Sequence, residues 1–318
     1  MSIHILDTRQ LGHKGIVAAT ALETDEGVAL FDTGPESTFD NIIADLNKAG
    51  FAGEDVRHVF LSHIHFDHAG AAWRFAELTA KVYVHPRGAA HLVDPTKLIE
   101  SAKRIFGNEM ERLWGKIAPV PRERVTILED GEAVQVSPFE IQAIATPGHA
   151  SHHHIYHWDN NVFGGDIAGV RIGNGPPIPP FVPPELHVES WRESITKIRG
   201  LKATNLYLPH FGKIAGAVSE HLDLLDERVR RWSEWFREKI RNGTNEEQLR
   251  SEFAALEHSE INAVASDSAL QQTSPADLVT GHTSLVTLYE AADPSYMAVG
   301  AAIRYWKKYH PDSLAGRS

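Results

Sequence analysis

The chain has no cysteine. That absence removes disulfides, thiolate metal ligands and thiol nucleophiles together, so any metal must be held by nitrogen and oxygen. No stretch approaches the roughly 18–20 consecutive apolar residues that a membrane helix needs. The opening MSIHILDTRQLGHKGIVAATALETDEG lacks the basic stretch followed by an apolar segment that marks a secretory leader. Basic residues are in deficit, with 31 Lys and Arg against 42 Asp and Glu and a net charge of −11. Without a local basic patch, such a chain is poorly suited to binding nucleic acid by neutralising phosphates. Repeats and low-complexity tracts are missing too; the proline-dense GNGPPIPPFVPPEL reads as a stiff loop. These absences point to a cytoplasmic protein with a small-molecule substrate, no membrane and no nucleic-acid partner. They leave the oligomeric state open, a homodimer included.

At 318 residues the chain has room for one large domain or two. Its first part alternates strand and helix patterns. GIVAATALE and GVALFDTG read as a hairpin pair, and STFDNIIADLNKAG as a helix capped at Gly50. Strands are expected at VRHVFLSH, KVYVHP, RVTILEDGEAVQV, FEIQAIATPGH, HHIYHW, NVFGGD and ATNLYLPHFG, with helices between several of them, as in a layered α/β arrangement. From about residue 219 the pattern becomes helical, in SEHLDLLDERVRRWSEWFREKIRNG, NEEQLRSEFAALEH and PSYMAVGAAIRYWKKYH. The expected division is therefore a first domain over 1–218 and a helical one over 219–318.

What the chain has in quantity is histidine, 19 residues of it. Three of these fall in LSHIHFDHAG, residues 61–70, together with an aspartate. At this composition an H-x-H-x-D-H string arises by accident in roughly three of every thousand chains of this length. The motif follows an apolar, β-prone run. In an extended chain, residues two apart point the same way, so His63 and His65 can face one metal ion. A turn through the small residues of DHAGAA then carries Asp67 and His68 to a second point. Imidazole and carboxylate suit zinc and its first-row neighbours. Further candidates stand at the ends of later strands: His149 after AIATPG, Asp166 after NVFGG and His210 after LYLP.

Taken in order, LFDTGP, LSHIHFDHAG, TPGHASHH, FGGD and YLPHFG resemble the metallo-β-lactamase superfamily of metal-dependent hydrolases, over roughly residues 15–215. The resemblance implies an αββα sandwich, here with a helical C-terminal appendage. It implies that His63, His65 and His149 hold a first metal, that Asp67, His68 and His210 hold a second, and that Asp166 bridges them. Two divalent ions, zinc with iron or manganese as alternatives, would share a hydroxide nucleophile. Asp67 would be catalytic, orienting that nucleophile and passing its proton to the leaving group. Asp32 in LFDTG would orient a metal-binding histidine or the motif loop. Among His152, His153 and His154, His153 is the candidate for a similar supporting role.

Departures narrow the branch. With no cysteine, the chain does not match β-lactamases that use a thiolate ligand. The stretch 167–209 is too short for the inserted domain of RNA-cleaving relatives. DIAGVRIG lacks the tyrosine that follows the bridging aspartate in quorum-quenching lactonases. What remains resembles the hydroxyacylglutathione hydrolases and their lactonase-like kin, without a clear basic cluster for glutathione. The expected activity is a dinuclear hydrolase of a small ester, thioester, lactone or phosphoester. The alternatives are a persulfide dioxygenase with one iron, an RNA-processing nuclease of the same fold, or a non-catalytic scaffold. Phe181, at the centre of the proline loop, is a candidate for contact with an apolar substrate, with packing against the C-terminal helices as the other reading.

Overall fold

A computed structural model describes residues 2–265 and 283–314. The parts of the expected helical domain at 266–282 and 315–318 lie outside the described residues. By internal packing the chain divides into two units. The first comprises Met1–Ala145, His152–Gly165 and Ala203–Ile214; the second comprises Thr146–Ser151, Asp166–Lys202 and Ala215–Ser318.

The first unit contains two six-stranded sheets. One runs β1 (Ile3–Asp7), β2 (Ala18–Thr24), β3 (Gly27–Phe31), β4 (Val56–Phe60), β5 (Lys81–Val84) and β6 (Val125–Ile127), in spatial order. It is antiparallel as far as β3 and parallel from β3 to β6. The other runs β7 (Ala133–Val136), β8 (Phe139–Ala145), β9 (His154–Trp158), β10 (Asn161–Phe163), β11 (Asn205–Leu208) and β12 (Gly212–Lys213). Its neighbours are antiparallel except for β10 and β11. Helices α1 (Phe39–Lys48), α2 (Phe66–Ala69), α3 (Ala72–Glu77), α4 (Pro86–Val93), α5 (Thr96–Phe106) and α6 (Met110–Trp114) complete this unit.

The sheets meet through aromatic side chains. Phe31 of β3 stacks 4.6 Å from Trp158 of β9 and 5.4 Å from both Phe60 of β4 and Phe163 of β10. On the other face of the first sheet, Leu30, Val59 and Val82 pack with Ile42 and Leu46 of α1 and Phe75 of α3. Strand β3 is thus covered on both faces, which is why its sequence, GVALF, runs continuously apolar instead of alternating. This mixed α/β architecture with two sheets agrees with the expected fold class. The stretch RVTILEDGEAVQV is divided between the sheets, with β6 in one and β7 in the other.

The second unit contains α7 (Val188–Gly200), α8 (Val218–Arg241), α9 (Glu246–Ala265), α10 (Leu285–Ala292), α11 (Ser295–Tyr309) and α12 (Pro311–Leu314). Helix α10 was not anticipated from the sequence. Trp232 and Phe236 of α8 pack on Phe253 of α9, at 4.8 and 4.7 Å between rings. The proline segment is held in place. The Tyr289 hydroxyl of α10 donates to Pro176 O at 2.7 Å and accepts from Ile172 N at 3.1 Å, while Arg228 donates to Pro177 O. Phe181 is fully buried, 5.6 Å from Trp191 and 6.2 Å from Trp232. It serves packing rather than contact with an apolar substrate, because the α7 and α8 aromatics enclose it.

Both cores can be tested by unfolding. Replacing Phe31 with Ala removes the ring at the centre of the inter-sheet stack and should cost about 3–5 kcal/mol. Urea unfolding checks this, and a loss below about 1 kcal/mol would contradict the packing. In the second unit, Glu257 on α9 is 3% exposed, and its Oε2 meets no hydrogen-bond donor among the described residues. Burial, then the carboxylates of Glu290 and Glu260, push its pKa from 4.5 up to about 8. The folded form therefore holds a proton that the unfolded chain releases near pH 4.5. The associated stability is complete below that pH and is lost as pH rises towards 8. Unfolding midpoints measured from about pH 5 to 9 should fall less steeply in Glu257→Gln than in the parent. Parallel profiles would refute this.

Candidate metal centre

The motif loop is built as the sequence suggests. After β4 the chain stays extended to His65, which has φ −64° and ψ 153°, and then turns into the single helical turn α2. The turn is closed by hydrogen bonds to His65 O from His68 N at 3.1 Å and from Ala69 N at 2.8 Å. Gly70 is required there: a Cβ would collide with Phe66 O and the backbone of Pro35. His63 and His65 consequently face each other, with Nε2 of the first 2.9 Å from Nδ1 of the second.

Asp32, at the end of β3, organises this loop. It has φ 55°, a left-handed conformation that a residue with a Cβ adopts only at a cost. Its buried carboxylate accepts Ser62 N at 2.7 Å, Ser62 Oγ at 2.8 Å and His68 Nδ1 at 2.9 Å. Because the Ser62 hydroxyl gives its proton to Asp32, it must accept from His63 Nδ1, 3.0 Å away. His210, just after β11, donates from Nδ1 to Ile16 O at 2.7 Å. In the neutral form of all three histidines the proton therefore sits on Nδ1 and the lone pair on Nε2, the tautomer a metal ligand needs.

Asp67 Oδ2 lies 3.3 Å from His68 Nε2 and 3.5 Å from His210 Nε2. These three residues form a group able to hold a metal ion. Two imidazole lone pairs and a carboxylate oxygen converge there, an arrangement that is repulsive unless a cation offsets it. Burial alone would raise the Asp67 carboxyl, but when these rings take up a second proton on Nε2, the His68 charge and hydrogen bonds from His210 and His68 hold it well below the usual range. The demand is for positive charge, which a divalent ion satisfies while leaving both Nδ1 hydrogen bonds intact; the donor set fits a metal.

In the second unit, His149 donates from Nδ1 to Pro180 O at 2.9 Å, which leaves its Nε2 as an acceptor 3.4 Å from Asp166 Oδ2. Asp166 opens a short 3-10 turn, Asp166–Ala168, and is 3% exposed. Gly165, the last residue of its segment in the first unit, has φ 54°, and a Cβ there would collide with His153 Nε2. The His153 ring therefore packs against Gly165 and lies 5.2 Å from the ring of His63. His154 is fully buried 4.6 Å from His85, and burial pushes its pKa down to about 3. Ser62 and the carbonyls of Ile16 and Pro180 escaped the sequence reading. A serine beside a histidine carries no distinctive signal, and a carbonyl carries none.

The Asp32 network generates a prediction. Asp32→Asn keeps the shape but cannot accept all three hydrogen bonds, so His68 and His63 lose their fixed tautomers. Zinc affinity, read by competition with a chelator, should fall about 10–100-fold. Unchanged affinity in a folded variant would remove Asp32 from this role.

A family model described as the metallo-beta-lactamase superfamily matches residues 14–210. A metallo-beta-lactamase fold-containing protein of Sulfurisphaera tokodaii is 29% identical over 170 residues, covering 52% of this chain and 64% of its own length. A hydroxyacylglutathione hydrolase of Maricaulis maris is 31% identical over 139 residues, covering 42% of this chain and 43% of its own. The chain thus spans less than two thirds of the length of either relative. Among solved structures, an archaeal superfamily protein from Sulfolobus tokodaii superposes with a TM-score of 0.61 at 23% identity, covering 73% of this chain and 86% of that one. A metallo-beta-lactamase family protein from Thermus thermophilus gives 0.63 at 20% identity, covering 96% and 93%. These two establish likeness of fold. The family match spans the motif loop, both later histidines and the intervening aspartate, and on that match this chain belongs to the metallo-β-lactamase superfamily.

Proposed function

We propose that the chain is a dinuclear metal-dependent hydrolase. In this reading His63, His65 and His149 would hold one ion and Asp67, His68 and His210 a second, two groupings whose ligand atoms lie within reach of one another, and Asp166 would serve both. The observation that carries this reading is the convergence of Asp67 Oδ2 with the Nε2 lone pairs of His68 and His210, each ring fixed from behind through Nδ1. Support also comes from the family match, whose span includes all seven residues. Nitrogen and oxygen donors of this kind suit zinc, with iron and manganese as alternatives.

Bound ions would supply a water activated near neutral pH and a Lewis acid for the substrate's carbonyl or phosphoryl oxygen. The protein's own contribution is positional. His68 and His210 are buried, with side chains 0% and 2% exposed, and keep fixed tautomers. The Asp67 side chain is 21% exposed, so its carboxylate can take a proton from the attacking water and return it to the leaving group. The substrate class is a small ester, thioester, lactone or phosphoester. The acidic balance of the chain disfavours an anionic polymer.

Purified without chelator, the protein should carry up to two equivalents of a first-row metal, and His210→Ala should lose about one. Activity on a panel of small esters, thioesters, lactones and phosphoesters should vanish with chelator and return with added metal. Asp166→Ala and His210→Ala should lower kcat by orders of magnitude while the protein stays folded. One iron per chain with oxygen consumption on a persulfide would move it to the dioxygenase reading. Salt-sensitive RNA cleavage without ester turnover would move it to the nuclease reading.

A further inference from the structure

The two residues of the second unit assigned above as ligands, His149 and Asp166, lie on short irregular segments. Such segments do not fix side chains by themselves, so something must hold them. The indole of Trp191, on α7, touches three segments. It stands edge-to-face with the His149 ring, at 5.7 Å and 86°. Its Nε1 donates to Ile167 O at 2.9 Å, one residue after Asp166. Its ring packs 5.6 Å from Phe181, which follows the Pro180 carbonyl that accepts His149 Nδ1.

The backbone around this indole is equally close. Gly148 has φ 143°, and a Cβ there would collide with the backbone of Trp191. His187 N donates to Gly148 O at 2.8 Å, and Ser194 Oγ donates to Pro147 O at 2.7 Å. The next carbonyl of the Asp166 turn is held from α8, where His221 Nε2 donates to Ala168 O at 2.8 Å. His221 is fully buried, and burial pushes its pKa down to about 4. It is therefore neutral at pH 7, with its one proton on the nitrogen that faces the carbonyl.

We propose that Trp191 and His221 are positioning residues of the metal centre: the two side chains clamp successive carbonyls of the Asp166 turn, and the indole also fixes the His149 ring. The helices α7 and α8 then set metal affinity without supplying a ligand. Hydrogen-bond partners that orient metal ligands are typically worth about 10–100-fold in metal affinity, and that scale sets the expectation for residues that hold the ligand's backbone. This inference rests on the assignment of His149 and Asp166 as ligands.

The test is zinc affinity, measured by chelator competition on the full-length chain, with melting of the metal-free protein measured alongside. Trp191→Phe keeps a ring against His149 and Phe181 but deletes the donor to Ile167 O. His221→Leu deletes the donor to Ala168 O, and His221→Gln restores an N–H at similar reach. The expected result is zinc binding about 10–100-fold weaker in Trp191→Phe and His221→Leu. His221→Gln should recover most of the loss although all three variants melt within a few degrees of one another. His149→Ala and Asp166→Ala serve as references. If these two lose zinc while Trp191→Phe and His221→Leu bind it like the parent, the positioning role is overturned and the ligand assignment stands. If His149→Ala and Asp166→Ala bind zinc like the parent, the ligand assignment falls and this inference with it. Should Trp191→Phe fail to fold, the contrast between His221→Leu and His221→Gln decides.

Discussion

The carboxylate of Asp32 is the interaction on which the motif loop depends. It is buried, and it accepts hydrogen bonds from the Ser62 backbone, the Ser62 hydroxyl and His68 Nδ1. Through these it ties the end of β3 to the end of β4 and to the first turn after it. It also sets proton positions. A carboxylate only accepts, so His68 must donate from Nδ1, Ser62 must donate from Oγ, and His63 Nδ1 must in turn donate to Ser62. Two histidines are thereby left with outward lone pairs. The left-handed backbone of Asp32 is tolerated because three hydrogen bonds and full burial over-determine it.

The other histidines use a different device for the same end. His210 and His149 donate Nδ1 to backbone carbonyls, those of Ile16 and Pro180. A carbonyl never donates, so it fixes the tautomer as firmly as a carboxylate does and brings no negative charge. Charge is then concentrated where a cation would sit, on Asp67 in the first unit and Asp166 in the second. The proline segment matters in this light. Pro180 O, which holds His149, belongs to a segment in which Tyr289 and Arg228 hold the carbonyls of Pro176 and Pro177 and the α7 and α8 aromatics bury Phe181.

Much of this was legible in the residue order. The period of the motif put His63 and His65 on one side of an extended chain, and the structure brings their ring nitrogens to 2.9 Å. The small residues after Asp67 permitted the turn that α2 makes, and Gly70 has no room for a Cβ. The supporting role read for Asp32 is there in three hydrogen bonds. Phe181 was ambiguous for a physical reason: an aromatic among prolines suits a pocket wall and a core equally, and only its neighbours separate the two. Helix α10 has no clear signature in the sequence, because LVTLYEAA is short and rich in residues that also suit strands.

Local chemistry settles what needs only neighbours along the chain: ligand types, their spacing, strand against helix, and the exclusion of thiolate by the lack of cysteine. What it cannot settle is which distant atoms stand behind each ligand. RVTILEDGEAVQV reads as strands, yet β6 and β7 belong to different sheets, because sheet membership depends on which edge a strand meets. Likewise Ile16 O lies 194 residues from His210 in sequence, and Pro180 O lies 31 from His149. A carbonyl looks the same at every position along the chain, so only folding selects the one that fixes a tautomer, and with it the nitrogen that would face a metal.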